Sequence, residues 1–165
     1  MGQKTHPVGF RLQMNKNWKS TWFTESSFAT ELESDVKIRK YLKARLPNAG
    51  ISKVDISRTS KNITITIHTA RPGIVIGKGG EEVNRLKDEV KQLTNDSSNS
   101  KENSKSVQIN ISEIKRPELD AALVGANIAH QLQKKVSYRR VVSKVIQSTM
   151  RMGAEGIRIN VAGRL

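Results

Sequence analysis

Cysteine is absent from this sequence, so neither a disulfide framework nor a thiolate zinc site can hold the chain together. That composition agrees with a reducing, cytosol-like compartment. Histidine is sparse, and His6, His68 and His130 are too scattered to complete a metal site. No apolar run is long enough to span a bilayer and no charged-then-apolar leader is present, so no membrane partner is expected. The opening Met1-Gly2-Gln3-Lys4-Thr5-His6 has His6 where a myristoylation signal needs Ser or Thr. Sequons at Asn62, Asn95 and Asn110 would matter only in a secreted protein. The shortage with the largest consequence is of acid: fifteen Asp and Glu stand against twenty-nine Lys and Arg in 165 residues, a formal net charge of +14. A polyanionic partner is expected, and with membrane set aside nucleic acid is favoured.

Residues 1–26 read as a basic arm. Its first 23 residues carry Lys4, Arg11, Lys16 and Lys19 with no acid, together with four of the chain's seven aromatics, Phe10, Trp18, Trp22 and Phe23. Such an arm suits an extension lying on RNA, its aromatics anchoring it and its cations meeting phosphates. From Phe28 to Leu46, the residues Phe28, Leu32 and Val36, then Ile38, Leu42 and Leu46, recur at helical spacing, with Thr30 to Glu33 as a capping box. Val54 and Ile56, a turn at Ser60-Lys61-Asn62, then Ile63, Ile65 and Ile67 predict a β-hairpin with one buried face.

Four glycines then fall within eight residues, in Arg71-Pro72-Gly73-Ile74-Val75-Ile76-Gly77-Lys78-Gly79-Gly80. Glycine at such positions lets backbone amides approach an anion. The spacing excludes a P-loop: only three residues separate Gly73 from Gly77, and Gly79 stands where the magnesium-binding hydroxyl should be. The dinucleotide fingerprint Gly-x-Gly-x-x-Gly is also missing. What fits is Gly-x-x-Gly, Gly77-Lys78-Gly79-Gly80, between a short apolar turn and a helix N-terminus, where Lys78 adds charge to the dipole. Gly73 reads as a turn residue.

Val83, Leu86, Val90 and Leu93 mark the next helix, residues 94–105 a polar loop, and Val107, Ile109 and Ile111 a third strand. The order helix, strand, strand, Gly-x-x-Gly, helix, strand over residues 27–113 resembles a type II KH domain. A second unit, 114–165, holds a helix with a small-residue face (Ala122, Ala126, Ala129), a helix through Val141, Val145 and Met150, and a last strand at Ile157, Ile159 and Val161. Residues 134–165 carry eight basic residues against Glu155 alone, +7 of the +14. A lone strand leaves both edges unpaired, so either further strands follow in a longer natural chain or an assembly supplies a partner.

The opening Met1 to Leu12, the loop Ala70 to Gly80, the joint Lys115-Arg116-Pro117-Glu118-Leu119, the segment Tyr138-Arg139-Arg140 and the end Gly163-Arg164-Leu165 together resemble the third-protein (uS3) family of the small ribosomal subunit, of bacterial or organellar type, over essentially the whole chain. The resemblance implies an α+β fold, a type II KH domain followed by a small, apparently truncated α+β C-terminal domain. It implies a structural constituent of the subunit head that binds ribosomal RNA and lines the messenger RNA entry channel, in the cytoplasm or in an organellar ribosome. Implied neighbours are the tenth and fourteenth proteins in the head and the fourth and fifth at the entry. A strand-opening role falls on Arg139 and Arg140; the third basic position of that cluster is Ser143 here, with Lys144 rotated from it by about 100° on a helix. RNA-binding candidates are therefore Gly77, Lys78, Gly79, Gly80, Lys4, Arg11, Arg71, Arg139, Arg140 and Lys144, with no cofactor, metal or catalytic residue.

Two rival classes are a stand-alone KH regulator and a nuclease. The nuclease lacks paired acids and a metal constellation, since Glu81 and Glu82 fit the first turn of a helix.

Overall fold

The computed structural model describes residues 2–97 and 106–163. Four strands form one mixed sheet in the order β1 (Ser20–Thr21), β2 (Ile51–Arg58), β3 (Asn62–Thr69) and β4 (Ser106–Glu113). β2 and β3 are the antiparallel hairpin, with Ile56 opposite Ile65; β1 and β4 join its two edges in parallel. A one-turn helix α1 (Pro7–Phe10) precedes the sheet, and α2 (Phe28–Arg45), the short α3 (Pro72–Ile76) and α4 (Glu81–Ser97) follow in the connections.

Period-two alternation puts Val54, Ile56, Ile63, Ile65, Ile67 and Ile109 on one sheet face, where they meet Ile38 and Leu42 of α2, Val75 of α3 and Leu86 and Val90 of α4. The other face carries Asp55, Ser57, Thr64, Thr66, Gln108 and Asn110, so the sheet is apolar on one side and polar on the other. After a 3₁₀ turn at Pro117–Leu119, helices α5 (Ala121–Gln133) and α6 (Tyr138–Arg151) pack on each other through a second cluster, Ile128, Val141 and Val145 with Val124, Leu132 and Ile159.

Several expectations are corrected. On α2 the predicted stripe fails in its first half: Phe28, Leu32 and Val36 are exposed, while Ser34 and Asp35 are buried. Asp35 lies in line with Ile38 and Leu42 at helical spacing, and its charge is tolerated inside because it is fully paired. The Thr30 capping box does not form; Ser27 is the N-cap, and the Thr30 hydroxyl donates back to its carbonyl. The apolar turn after Gly73 is a helical turn, α3. Gly73 sits within it without positive φ and with open space around it, so no turn requires it.

α4 extends through Thr94 to Ser97, where the sequence predicts a polar loop; the rest of that loop, 98–105, lies outside the described residues. On α5, Ala122, Ala126 and Ala129 face outward, because the larger Leu123, Val124, Ile128 and Leu132 offer more apolar area to bury. The last strand is not formed among the described residues: 157–161 run without a partner, though Ile159 still packs on the helices. An isolated strand has no ladder to satisfy its amides.

Candidate nucleic-acid interface

The Gly-x-x-Gly segment is held from behind by α2. Tyr41 donates to Glu89 of α4 at 2.5 Å, and Arg45 lies 3.5 Å from Glu82 and 3.8 Å from Glu89. Burial, with the hydrogen bond to Glu89 and the charge of that carboxylate, pushes the Tyr41 phenol above its usual range. These ties fix α4 against α2, and through Glu82 in its first turn they brace the loop that precedes it.

The three glycines of the motif serve different ends. Gly77 has φ +71°, and a Cβ there would meet Glu82 Cγ at 2.6 Å and Cβ at 2.8 Å, so internal packing demands glycine. Gly79 (φ +63°) and Gly80 (φ +83°) also lie in the left-handed region, but nothing occupies the space beside them. The loop therefore presents bare backbone outward at Gly79 and Gly80, next to the exposed Lys78 and Arg71. The first turn of α4 adds its amides and also two acids; Glu81 and Glu82 are partly compensated by Arg85, at 3.7 and 3.5 Å.

A second basic surface lies on α6. Val141, Val145 and Thr149 face α5, which leaves Arg140, Lys144 and Arg151 exposed along one side and Arg139 exposed at the first turn. The Arg139 guanidinium stands 5.8 Å from the Tyr138 ring centroid, and its Nε donates to the Tyr138 hydroxyl at 3.1 Å. Among the described residues, Arg139, Arg140 and Lys144 have no carboxylate partner. α6 has no acid in its first turn and no side-chain cap from Ser137. Cations at a helix N-terminus oppose the dipole, so an external anion is the arrangement's natural complement.

Lys4 and Arg11 lie on the exposed N-terminal segment, where Arg11 donates to the Pro7 carbonyl at 3.0 Å. The candidates thus fall into three groups: the loop with Arg71, the face of α6, and the N-terminal segment.

One constellation was not foreseen. Asp35, fully buried, accepts hydrogen bonds from Ser20 (2.6 Å), from the Trp22 indole (2.9 Å) and from Arg58 Nε (2.7 Å). Arg58 also pairs with Glu31 and donates to Ser34 at 3.0 Å. Arg39 donates to the Lys19 carbonyl at 2.8 Å and to Ser20 at 2.6 Å. This knot pins residues 19–22 to α2 and β2. Its signal in the sequence was a carboxylate in register with Ile38 and Leu42, where an apolar residue would be usual. A second tie, Ser52 donating to Asp120 at 2.7 Å, joins β2 to α5, whose first amides Asp120 caps from Ala122 and Leu123.

The KH domain family model matches residues 37–119, and the model of the ribosomal protein S3 C-terminal domain matches residues 128–165. Proteins named small ribosomal subunit protein uS3 are similar along all 165 residues: 53% identical in Cytophaga hutchinsonii, 52% in Salinibacter ruber and 53% in Parabacteroides distasonis. The chain spans 61%, 66% and 64% of the length of those relatives. A KH domain with the loop geometry described above, followed by an S3 C-terminal domain in that order, places the chain in the uS3 family, to which it belongs.

Proposed function

We propose that this protein is a structural constituent of the head of the small ribosomal subunit, in the cytoplasm, that folds on ribosomal RNA and borders the path of incoming message. The observation that carries the reading is the distribution of unpaired charge. Among the described residues the ion pairs cluster between Glu31 and Glu89, whereas Arg139, Arg140 and Lys144 stand exposed without a carboxylate partner. Excess cation displayed on a rigid helix suits a phosphate backbone and supplies no catalysis. The relatives are ribosomal proteins by name, and the non-enzymatic reading accords with them.

In this reading Gly79, Gly80 and Lys78 lie against an RNA backbone, with Arg71 beside them and Gly77 keeping the loop's shape. Lys4 and Arg11 meet ribosomal RNA from the N-terminal segment, in an arm of residues 1–26 ahead of a KH domain at 27–113 and a C-terminal domain at 114–165. Arg139 and Arg140 hold phosphates of the message by charge and bidentate hydrogen bonds, so that paired strands stay apart while translocation supplies the work. Lys144, one turn from Arg140, extends the same surface. The neighbours are the tenth and fourteenth proteins of the head and the fourth and fifth at the entry.

Sedimentation of cell extract through sucrose after a high-salt wash tests the assignment. The protein should follow the small subunit quantitatively. Its release to the top of the gradient would instead make it a free KH-type RNA-binding regulator.

A further inference from the structure

Beside β1 the N-terminal segment forms one wall of an open groove of about 440 Å³. Trp22 and Phe23 make its aromatic side, and Thr24, Ser27, Thr59 and Ser60 surround it with hydroxyls. The Trp22 ring is not free to turn. Its indole N–H is held by the buried Asp35 at 2.9 Å, and its ring lies 5.4 Å from that of Phe28 at an interplanar angle of 49°. Phe23, its neighbour, is 87% exposed.

Of the four aromatics expected to anchor this segment, Phe10, Trp18 and Phe23 are exposed and only Trp22 is tied in. Trp22 and the polar knot hold it, and Phe23 is left presenting a ring outward. An exposed phenylalanine beside an immobilised indole offers a flat apolar face to an occupant.

We propose that this groove is a stacking site for one unpaired nucleobase of RNA, an inference that rests on the ribosomal RNA-binding reading above. The lining discriminates among occupants. A phosphate finds no uncommitted cation there: among the described residues the only lining cation is Arg58, paired with Asp35 and with Glu31, a carboxylate that also lines the groove. An apolar peptide segment finds only two apolar side chains against hydroxyls and charge. A nucleobase matches both halves of the lining, its π-face on Phe23 and its polar edge toward the hydroxyls.

The phosphates flanking such a base meet a segment with matching charge, since residues 2–24 hold Lys4, Arg11, Lys16 and Lys19 and no acid. This makes the groove separate from the Gly-x-x-Gly loop and from α6, and different in kind, because those surfaces take the backbone whereas this one takes a base. Pre-fixing of Trp22 by Asp35 means that little ordering cost falls due on binding.

The test uses the full chain, a single-stranded twelve-residue oligoadenylate, and an abasic strand of the same length and charge. Phe23→Ala should weaken binding to the oligoadenylate about tenfold, the usual consequence of losing one base–aromatic stack. Its affinity for the abasic strand and the slope of its salt dependence should match wild type, because no phosphate contact is lost. Phe23→Tyr should restore the affinity, and Ser60→Trp, which fills the groove while leaving Phe23 in place, should lower it again. Unchanged oligoadenylate affinity in Phe23→Ala overturns the proposal. Should that variant bind RNA normally yet fail to enter small subunits, the groove meets a protein, and the base assignment is equally overturned. If wild-type protein binds neither strand, the ribosomal RNA-binding reading itself fails and this inference with it.

Discussion

At the scale of single residues, Gly77 and Gly79 separate two meanings of a glycine in one motif. Both have positive φ, so any Cβ costs on the order of 1–2 kcal/mol in backbone strain. Only Gly77 adds a collision, with the Cβ and Cγ of Glu82, whose carboxylate is in turn engaged by Arg45 and Arg85. Gly77→Ala should therefore lose about 2–4 kcal/mol of stability by urea denaturation, strain and overpacking together. Gly79→Ala should lose only about 1–2 kcal/mol. RNA affinity should fall in the second variant as much as in the first, although its fold is better preserved, because a methyl at Gly79 stands where nucleic-acid backbone would approach. Equal losses of stability in the two variants would contradict the geometry.

At the scale of elements, Asp120 is the joint between the sheet and the C-terminal helices. One carboxylate oxygen caps α5 through the amides of Ala122 and Leu123, and the other accepts from Ser52 on β2. Asp120→Ala removes a cap worth about 0.5–2 kcal/mol and leaves the Ser52 hydroxyl without its partner. The expected result is a drop of about 2–3 kcal/mol in denaturant unfolding, and Asp120→Asn should recover part of it, since its amide oxygen still caps. Hydrogen exchange should rise first at the start of α5.

The same scale shows what could be read from the chain beforehand. The hairpin and β4 were legible because alternation has a period of two and isoleucine dominates it, and α4 was legible because Leu86 and Val90 stand among charged residues. The first half of α2 was not, since its apolar residues are exposed and its buried ones are Ser34 and Asp35. Periodicity registers hydrophobicity and is blind to a carboxylate that three donors satisfy. On α5 the opposite error arose: small residues promised close packing, but burial follows area, and Leu123 and Ile128 win it. β1 was illegible altogether, because two residues carry no period and their pairing depends on Ile56, thirty-six positions later by the register Ser20↔Ile56. Of the candidate site, the loop was legible through its spacing. The groove at Phe23 was not, because its walls come from segments far apart in sequence.

For the molecule as a whole, the net charge of +14 is not spread evenly. Among the described residues, ion pairs knit α2 to the hairpin and to α4, whereas the cations of the C-terminal helices have no carboxylate partner. Binding to nucleic acid should accordingly weaken steeply with salt. The double variant Arg139→Ala/Arg140→Ala should bind single-stranded RNA with a log K against log salt slope shallower by about 1.4, the value for two lost phosphate contacts on a single strand. Thermal unfolding in the absence of RNA should not suffer, because like charges at the start of α6 repel one another and the helix dipole. A slope equal to wild type would remove these arginines from the phosphate contacts.

The knot around Asp35 also orders events in time. Every group that seats residues 19–22 is made after them: Asp35 and Arg39 on α2, then Ile56 and Arg58 on β2. While the chain is being synthesised, Trp22 emerges first and has nothing to settle on until Asp35 and Arg58 have followed. Until then the aromatic segment is exposed in the nascent polypeptide, available to a chaperone or to the RNA nearby. Its docking is a late step, delayed by the same long-range parallel pairing that holds it once formed.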